Sequence, residues 1–203
     1  MTRIAILGTG NVGRALAKGL AKKHEIKFGS RNPAHEKAVE GSPLLAYRDA
    51  VKWAEVVILA IPYTSVKETV NSIGPSSFKG KVLVDVTNPL SPNMDLAVGF
   101  NTSAAEELSK LVPEAKVVKA FNYVFAANMS TGKINGEPLT LFVAGDATDA
   151  KSKVMQLGSD IGFEPIDAGP LICARYLEPL AMQLIKMGYG LKMGTNIGFR
   201  LVH

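Results

Sequence analysis

Ile4-Ala5-Ile6-Leu7-Gly8-Thr9-Gly10-Asn11-Val12-Gly13 is an apolar run that breaks into glycines at the Gly-x-Gly-x-x-Gly spacing. Before the glycines, Thr2 to Leu7 reads as a short strand; after them Val12, Ala15, Leu16 and Leu20 recur at helical spacing, with the small Gly19 on the same face. A strand, a glycine turn and a helix in that order form a cradle for a dinucleotide pyrophosphate. Gly8 allows the tight turn, Gly10 lets the phosphates approach the backbone, and Gly13 lets the helix pack closely on the strand. The free amides at the helix start then face negative charge. Thr9 and Asn11 offer further donors to phosphate or ribose, so the whole stretch from Gly8 through Val12 to Gly13 is the expected binding turn.

Working outward, the same alternation continues. Glu25 to Gly29 reads as a second strand and a helix is expected from Pro33 or Ala34 to Gly41. A brief Ser42 to Tyr47 segment, a short helix over Arg48 to Ala54 and a central strand over Glu55 to Ile61 follow. The unbroken Val56-Val57-Ile58-Leu59-Ala60-Ile61 run suits a parallel strand buried on both faces. Then come a helix (Ser65 to Ile73), a strand (Lys81 to Val86), a helix opened by the Ser103-Ala104-Ala105-Glu106 capping box, and a strand (Ala115 to Phe121). After a loop around Gly132 to Gly136 come a strand (Leu139 to Ala144), a helix (Ala147 to Ile161), a strand (Glu164 to Asp167) and a last helix from Leu171 that dissolves at Gly188 and Gly190. The expectation is a single α/β domain over residues 1–203: a doubly wound, mostly parallel sheet of Rossmann type with a C-terminal helix and glycine-rich tail.

Composition narrows the partners. The 203 residues are 47% hydrophobic and 20% charged, which fits an ordinary α/β domain, and the apolar runs are far shorter than the roughly 20 residues of a membrane span. The start runs straight into a strand without a signal-peptide pattern, and the single cysteine rules out an internal disulfide framework, so a soluble cytoplasmic protein with no membrane partner is expected. The net charge of +5 comes from basic residues scattered among acids, without an arginine tract, so it suits a small anionic ligand and not nucleic acid.

The edge of the second strand decides between coenzymes. A carboxylate there would take the ribose hydroxyls of NAD, but this chain reads Gly29-Ser30-Arg31-Asn32-Pro33. Ser30 can donate to a 2′-phosphate and the planar Arg31 guanidinium can grip it and cover adenine, the other reading of Arg31 being a surface ion pair. His35 and Lys37 could add donors. NADP is therefore expected over NAD.

The remaining site residues come from other strand ends. Ala60 is expected at a cofactor-binding strand end, with Ile61 and Pro62 after it lining the nicotinamide side with apolar surface, Asn88 and Asn122 offering amides to a carboxamide or ribose, Pro89 fixing its loop, and Gly169 at the end of the last strand. For the asparagines, stabilising their own turns is the alternative. Asp85 is expected to fix nearby loop amides. His24, His35 and His203 have neither metal spacing nor an evident acid partner, and Cys173 reads as a packing or lining residue. No metal site and no acid–base constellation emerges. Carbonyl reduction needs a proton donor, whereas hydride transfer between stacked rings works by alignment, which points to a second redox cofactor.

The sequence as a whole resembles the F420-dependent NADP oxidoreductases, also called NADPH:F420 reductases, and the cytosolic reductase domain of the membrane ferric reductases. The anchors are the glycine turn, Gly29 to Pro33, Val84-Asp85-Val86-Thr87-Asn88-Pro89, Val117-Val118-Lys119-Ala120-Phe121-Asn122, and Asp167 to Leu171 with Ala174-Arg175. The resemblance implies that Thr9, Ser30 and Arg31 hold the 2′-phosphate side of NADP(H), with help from the position of His35. It also implies that a second cofactor stacks on the nicotinamide near Pro62, Asn88 and Asn122, and that the segment 167–203, with its Gly194 to Leu201 ending, closes over it. Phe121-Asn122-Tyr123-Val124-Phe125 looks closer to the ferric-reductase domain, so coenzyme F420, FMN, FAD and riboflavin all stand as acceptors. Family members pair as homodimers, and Leu171 to Met187 is the helix that could make that contact. A soluble NADPH-dependent flavin or ferric reductase, a carbonyl or imine reductase and a non-catalytic NADP(H) sensor are the rival readings.

Overall fold

In the computed structural model, which describes residues 1–34, 39 and 41–202, the glycine turn joins strand β1 (Arg3–Leu7) to helix α1 (Asn11–Leu20). Strands β2 (Glu25–Ser30) and β3 (Leu44–Ala46) follow, then α2 (Tyr47–Trp53), β4 (Val56–Leu59), α3 (Tyr63–Ile73), β5 (Val82–Asp85), α4 (Ala104–Leu111) and β6 (Lys116–Lys119). A single-turn helix α5 (Ala126–Met129) and the hairpin β7 (Lys133–Ile134) and β8 (Glu137–Pro138) lead to β9 (Thr140–Gly145), α6 (Thr148–Ile161), β10 (Glu164–Asp167) and α7 (Ala174–Ile185). The helix expected over 33–41 falls largely outside the described residues, as do His35 and Lys37; within it, Pro33 and Ala34 form a turn and Val39 bridges Ser42.

Eight strands make one sheet in the order β10-β9-β6-β5-β4-β1-β2-β3. Alternate residues of β1 explain its central place: Ile4 and Ile6 join one apolar cluster with Leu16, Leu20 and Ile58, while Ala5 and Leu7 join a second with Val57, Leu59 and Val70. Being buried on both faces is what a parallel strand sandwiched by helices requires. The neighbours of β1 on both sides are parallel, Ile4 facing Ile26 of β2 and Val56 of β4.

The sheet is mostly parallel, as expected, with one antiparallel junction. β9 runs antiparallel to β6, with Lys119 opposite Ala144 and Val118 opposite Gly145, and β10 is parallel to β9. The last two strands therefore end near the start of β6. The expected placement of Gly169 at the coenzyme edge is corrected accordingly: it lies beside Gly145, whose amide donates to the Gly169 carbonyl at 3.1 Å.

The capping box at α4 forms as its sequence suggests, with the Glu106 amide donating to Ser103 Oγ at 3.2 Å. Glu106 is also gripped by Arg175 of α7 through two bonds of 2.9 and 2.7 Å. The Arg175 hydrogen bond holds the Glu106 carboxyl below its usual range, against the opposing effect of burial. A depressed folded-state pKa stabilises above the unfolded value and is lost as pH falls through the folded one. Replacing Arg175 with alanine should thus lower the melting temperature at neutral pH, and the gap from wild type should shrink on acidification below about pH 4, close to the free glutamate pKa. Thermal unfolding across pH checks this.

His24 does have an acid partner, contrary to the sequence reading. Its Nε2 lies 3.0 Å from Asp160, which also takes Lys23 at 2.7 Å, tying the end of α1 to α6.

Candidate coenzyme site

Two cavities flank the glycine turn, and consecutive residues line them. The first, about 250 Å³, is bounded by Gly8, Thr9 and Gly10, by Ser30 and Arg31 at the end of β2, and by Ala60, Ile61 and Pro62 after β4. The second, about 280 Å³, begins at Asn11 and Val12 and includes Asn88 and Asn122. A dinucleotide also has two halves joined at a pyrophosphate, and the start of α1 stands between the cavities.

The turn owes its shape to two glycines. Gly8 has φ +114, and an added Cβ would lie 2.2 Å from the Ala60 carbonyl oxygen; at Gly13 it would lie 2.4 Å from the Gly8 oxygen. Gly10 differs: nothing lies within 4 Å of where its Cβ would be. Open space over the backbone there is what a close-lying phosphate needs. Gly10 caps α1 without a side-chain hydrogen bond, so the first amides of the helix are not taken by a capping side chain. Arg14 Nε donates to the Thr9 carbonyl at 2.8 Å and steadies the turn.

In the first cavity, Ser30 is buried and its Oγ accepts the Asn32 amide at 3.1 Å. Arg31 is exposed at the cavity wall and makes no salt bridge among the described residues. Neither cavity lining carries a carboxylate among the described residues, so a 2′-phosphate would meet no like charge there. Ile61 and Pro62, expected on the nicotinamide side, line this first cavity with Ser30 and Arg31; the Ala60 amide just before them donates to the Leu7 carbonyl at the end of β1 at 2.9 Å. Tyr47, Ser65 and Thr69 also line it and were not singled out from the sequence.

In the second cavity the two asparagines are crossed. Asn88 Nδ2 donates to the Asn122 carbonyl at 2.7 Å, and Asn122 Nδ2 donates to Asn88 Oδ1 at 3.1 Å and to the Leu177 carbonyl of α7 at 2.9 Å. Asn122 is 6% exposed and its Oδ1 is buried without a partner. An orphaned acceptor is costly unless something donates to it, and an amide such as a nicotinamide carboxamide can. Apart from Asn11, the rest of the cavity is apolar or aromatic, with Val86, Leu90, Met94, Phe121, Phe125, Leu184 and Tyr189. Tyr123 also lines it, but its hydroxyl is committed, donating to the Thr140 carbonyl at 2.8 Å and accepting the Phe142 amide at 2.6 Å. Burial raises that phenol well above its ordinary pKa. Tyr189 stands at the mouth, 63% exposed, edge-on to Phe125 at 5.6 Å.

Gly13 and Pro89 border neither cavity: Gly13 leaves room for the Gly8 carbonyl, and the Pro89 carbonyl accepts the Ala97 amide at 2.7 Å and holds its loop. The expected closing segment divides. Ala181, Leu184, Ile185 and Tyr189 do line the second cavity, whereas the tail packs elsewhere, with the Phe199 carbonyl accepting the Thr140 amide at 3.1 Å and the Thr195 carbonyl accepting Asn128 Nδ2 at 3.0 Å. Asp85 holds the Thr87 amide at 2.9 Å, as its sequence position suggested. Among the described residues no group of His, Cys, Asp or Glu could hold a metal, and no helix is long and apolar enough to cross a membrane.

A family profile described as NADP oxidoreductase, coenzyme F420-dependent, matches residues 3–89. The F420-dependent NADP reductase of Methanocaldococcus jannaschii is 33% identical over 217 aligned positions, covering 96% of this chain and 96% of that protein. The crystal structure of a putative F420-dependent NADP reductase from Arthrobacter sp. FB24 superposes with a TM-score of 0.91 at 31% identity, covering all of both chains. Metalloreductase STEAP3 of Rattus norvegicus is 32% identical over 191 positions, but this chain spans only 37% of its length.

Proposed function

The chain belongs to the coenzyme F420-dependent NADP oxidoreductase family, and from that premise we propose that NADP(H) binds extended across the two cavities with a deazaflavin or flavin ring beside its nicotinamide. Family membership makes it an NADP-dependent hydride-transfer oxidoreductase. The observation that carries the rest is the seating of Ser30 and Arg31 in one cavity with Gly8 and Gly10, while the next residue, Asn11, opens the second.

In this reading Ser30 and Arg31 take the 2′-phosphate, the amides at the start of α1 take the pyrophosphate, and Asn122 Oδ1 receives the carboxamide. When both ligands are bound, the chemistry they supply is a direct hydride exchange between nicotinamide C4 and C5 of a deazaflavin, or N5 of a flavin. The chain's own part is alignment and exclusion of water. That fits a cavity whose described lining has no carboxylate, histidine or lysine. We place the enzyme in the cytoplasm as a homodimer paired through α7, with the whole chain as one coenzyme domain and, of the segment 167–203, the stretch from Ala181 to Tyr189 supplying a wall of the acceptor site.

Anaerobic mixing of the protein with NADPH and F420, FMN or FAD in turn tests the reading. Rapid bleaching of F420, or of a flavin, is the expected result. Turnover of a small carbonyl or imine with no ring acceptor would contradict it, and so would tight NADPH binding with no oxidation by any acceptor.

A further inference from the structure

Beneath the second cavity lies a fully buried cluster of three charges that the proposed chemistry does not use. Lys119 ends β6 with 0% exposure, Asp85 ends β5 with 1%, and Glu178 lies in α7 with 0%. The three donor positions of Lys119 Nζ match three acceptors: Asp85 Oδ2 at 2.9 Å, the Thr87 carbonyl at 2.7 Å and Glu178 Oε1 at 2.9 Å. Glu178 in turn accepts the amides of Ala104 at 2.9 Å and Ala105 at 3.2 Å, the start of α4. Burial opposes the Lys119 charge, yet the pull of Asp85 and Glu178 outweighs it and holds the ammonium above its ordinary range.

Such a cluster is a poor device for stability alone, since apolar side chains of similar volume commonly serve a core as well. Its members instead sit beside the asparagines. Asp85 and Thr87 lead into Asn88, Lys119 precedes Asn122 on the same strand end, and Glu178 follows Leu177, whose carbonyl takes the Asn122 amide at 2.9 Å. The bond from Asn122 to Leu177 fixes which way the carboxamide faces, leaving Oδ1 as the orphaned acceptor. Beside the Arg175–Glu106 pair, the neighbouring Glu178 holds α7 at that distance, anchored to β6 through Lys119 and to α4 through two amides.

We propose that Glu178 and Lys119 are positioning residues: by clamping α7 to the ends of β5 and β6 they orient Asn122 toward the nicotinamide end of the coenzyme. This rests on the coenzyme reading above. The clamp acts on one end of the ligand only, because the strand ends and helix it joins carry Asn88 and Asn122 into the second cavity, and none of its members borders the first.

The test compares wild type with Glu178→Gln, Asn122→Ala and the double variant. In the ligand-free protein, the side-chain amide NMR signals of Asn88 and Asn122 should shift and exchange faster in Glu178→Gln. With ligands, affinity for 2′-phospho-ADP-ribose, which lacks nicotinamide, should be unchanged, while single-turnover hydride transfer from NADPH to F420 falls roughly 10- to 100-fold, the scale of a misplacement near 1 Å. The double variant should be little worse than Asn122→Ala alone. If Glu178→Gln does not fold, Glu178→Asp, which keeps the charge on a shorter arm, takes its place with the same expectations. A lower melting temperature with unchanged amide signals and transfer rate would overturn the proposal, as would losses that add fully in the double variant. Failure of wild type to bind either NADPH or the fragment would instead overturn the coenzyme reading, with the amide signals still deciding whether the clamp orients Asn122.

Discussion

Replacing Gly10 with leucine is expected to abolish NADPH binding while leaving the protein folded. Gly10 has φ −75 and ψ −178, an extended conformation open to any residue, and its Cβ direction is empty to 4 Å. A leucine there costs the fold little and fills the space over the first amides of α1. Those amides each contribute about 1.5–3 kcal/mol when bonded to a charged group, so losing two of them weakens binding on the order of 100-fold or more. Gly8 is the contrasting control. With φ +114 and the Ala60 oxygen 2.2 Å from a Cβ, its replacement strains the turn itself and should lower the melting temperature. Calorimetric titration together with thermal unfolding separates the two effects. Retained NADPH affinity in Gly10→Leu would mean that the phosphates do not cross this turn.

Arg31→Ala should weaken NADPH by about 1.5–3 kcal/mol, roughly 10- to 150-fold, the loss of a charge-assisted contact to phosphate. NADH lacks that phosphate and should lose far less. The guanidinium is exposed at the wall of the first cavity and, among the described residues, has no salt bridge to rearrange. Parallel titrations of both coenzymes give the discrimination directly. Equal weakening would assign Arg31 to adenine stacking, which NADPH and NADH share.

Much of this arrangement was legible because its causes are local. The glycine turn, the burial of Val56 to Leu59 and the Ser103–Glu106 capping box depend on residues within a few positions of one another, and all three form as their patterns imply. The direction of β9 was not legible. An apolar strand carries the same pattern whichever way it runs, and the stretch from Phe121 to Leu139 is long enough for a crossover helix, yet its only helix is the four residues of α5. That reversal carried Gly169 to the wrong end. Nor does a sequence say which cavity Ile61 and Pro62 face, since both cavities abut the same strand ends. The buried clamp left one signal that went unused: Lys119 sits between Val118 and Ala120 in an apolar strand, and Asp85 holds the opposite register in its neighbour. A lysine there is sheltered only if a carboxylate meets it. Glu178 comes from a helix 59 residues further along the chain and could be joined to the pair only by the fold.

The most direct measurement is a crystal structure of the protein grown with NADPH. The expected density places the 2′-phosphate against Ser30 and Arg31, the pyrophosphate over Gly10, and the carboxamide within hydrogen-bond reach of Asn122 Oδ1. Density with the nicotinamide lying between Ser30 and Pro62, or with coenzyme bound away from both cavities, would contradict the account.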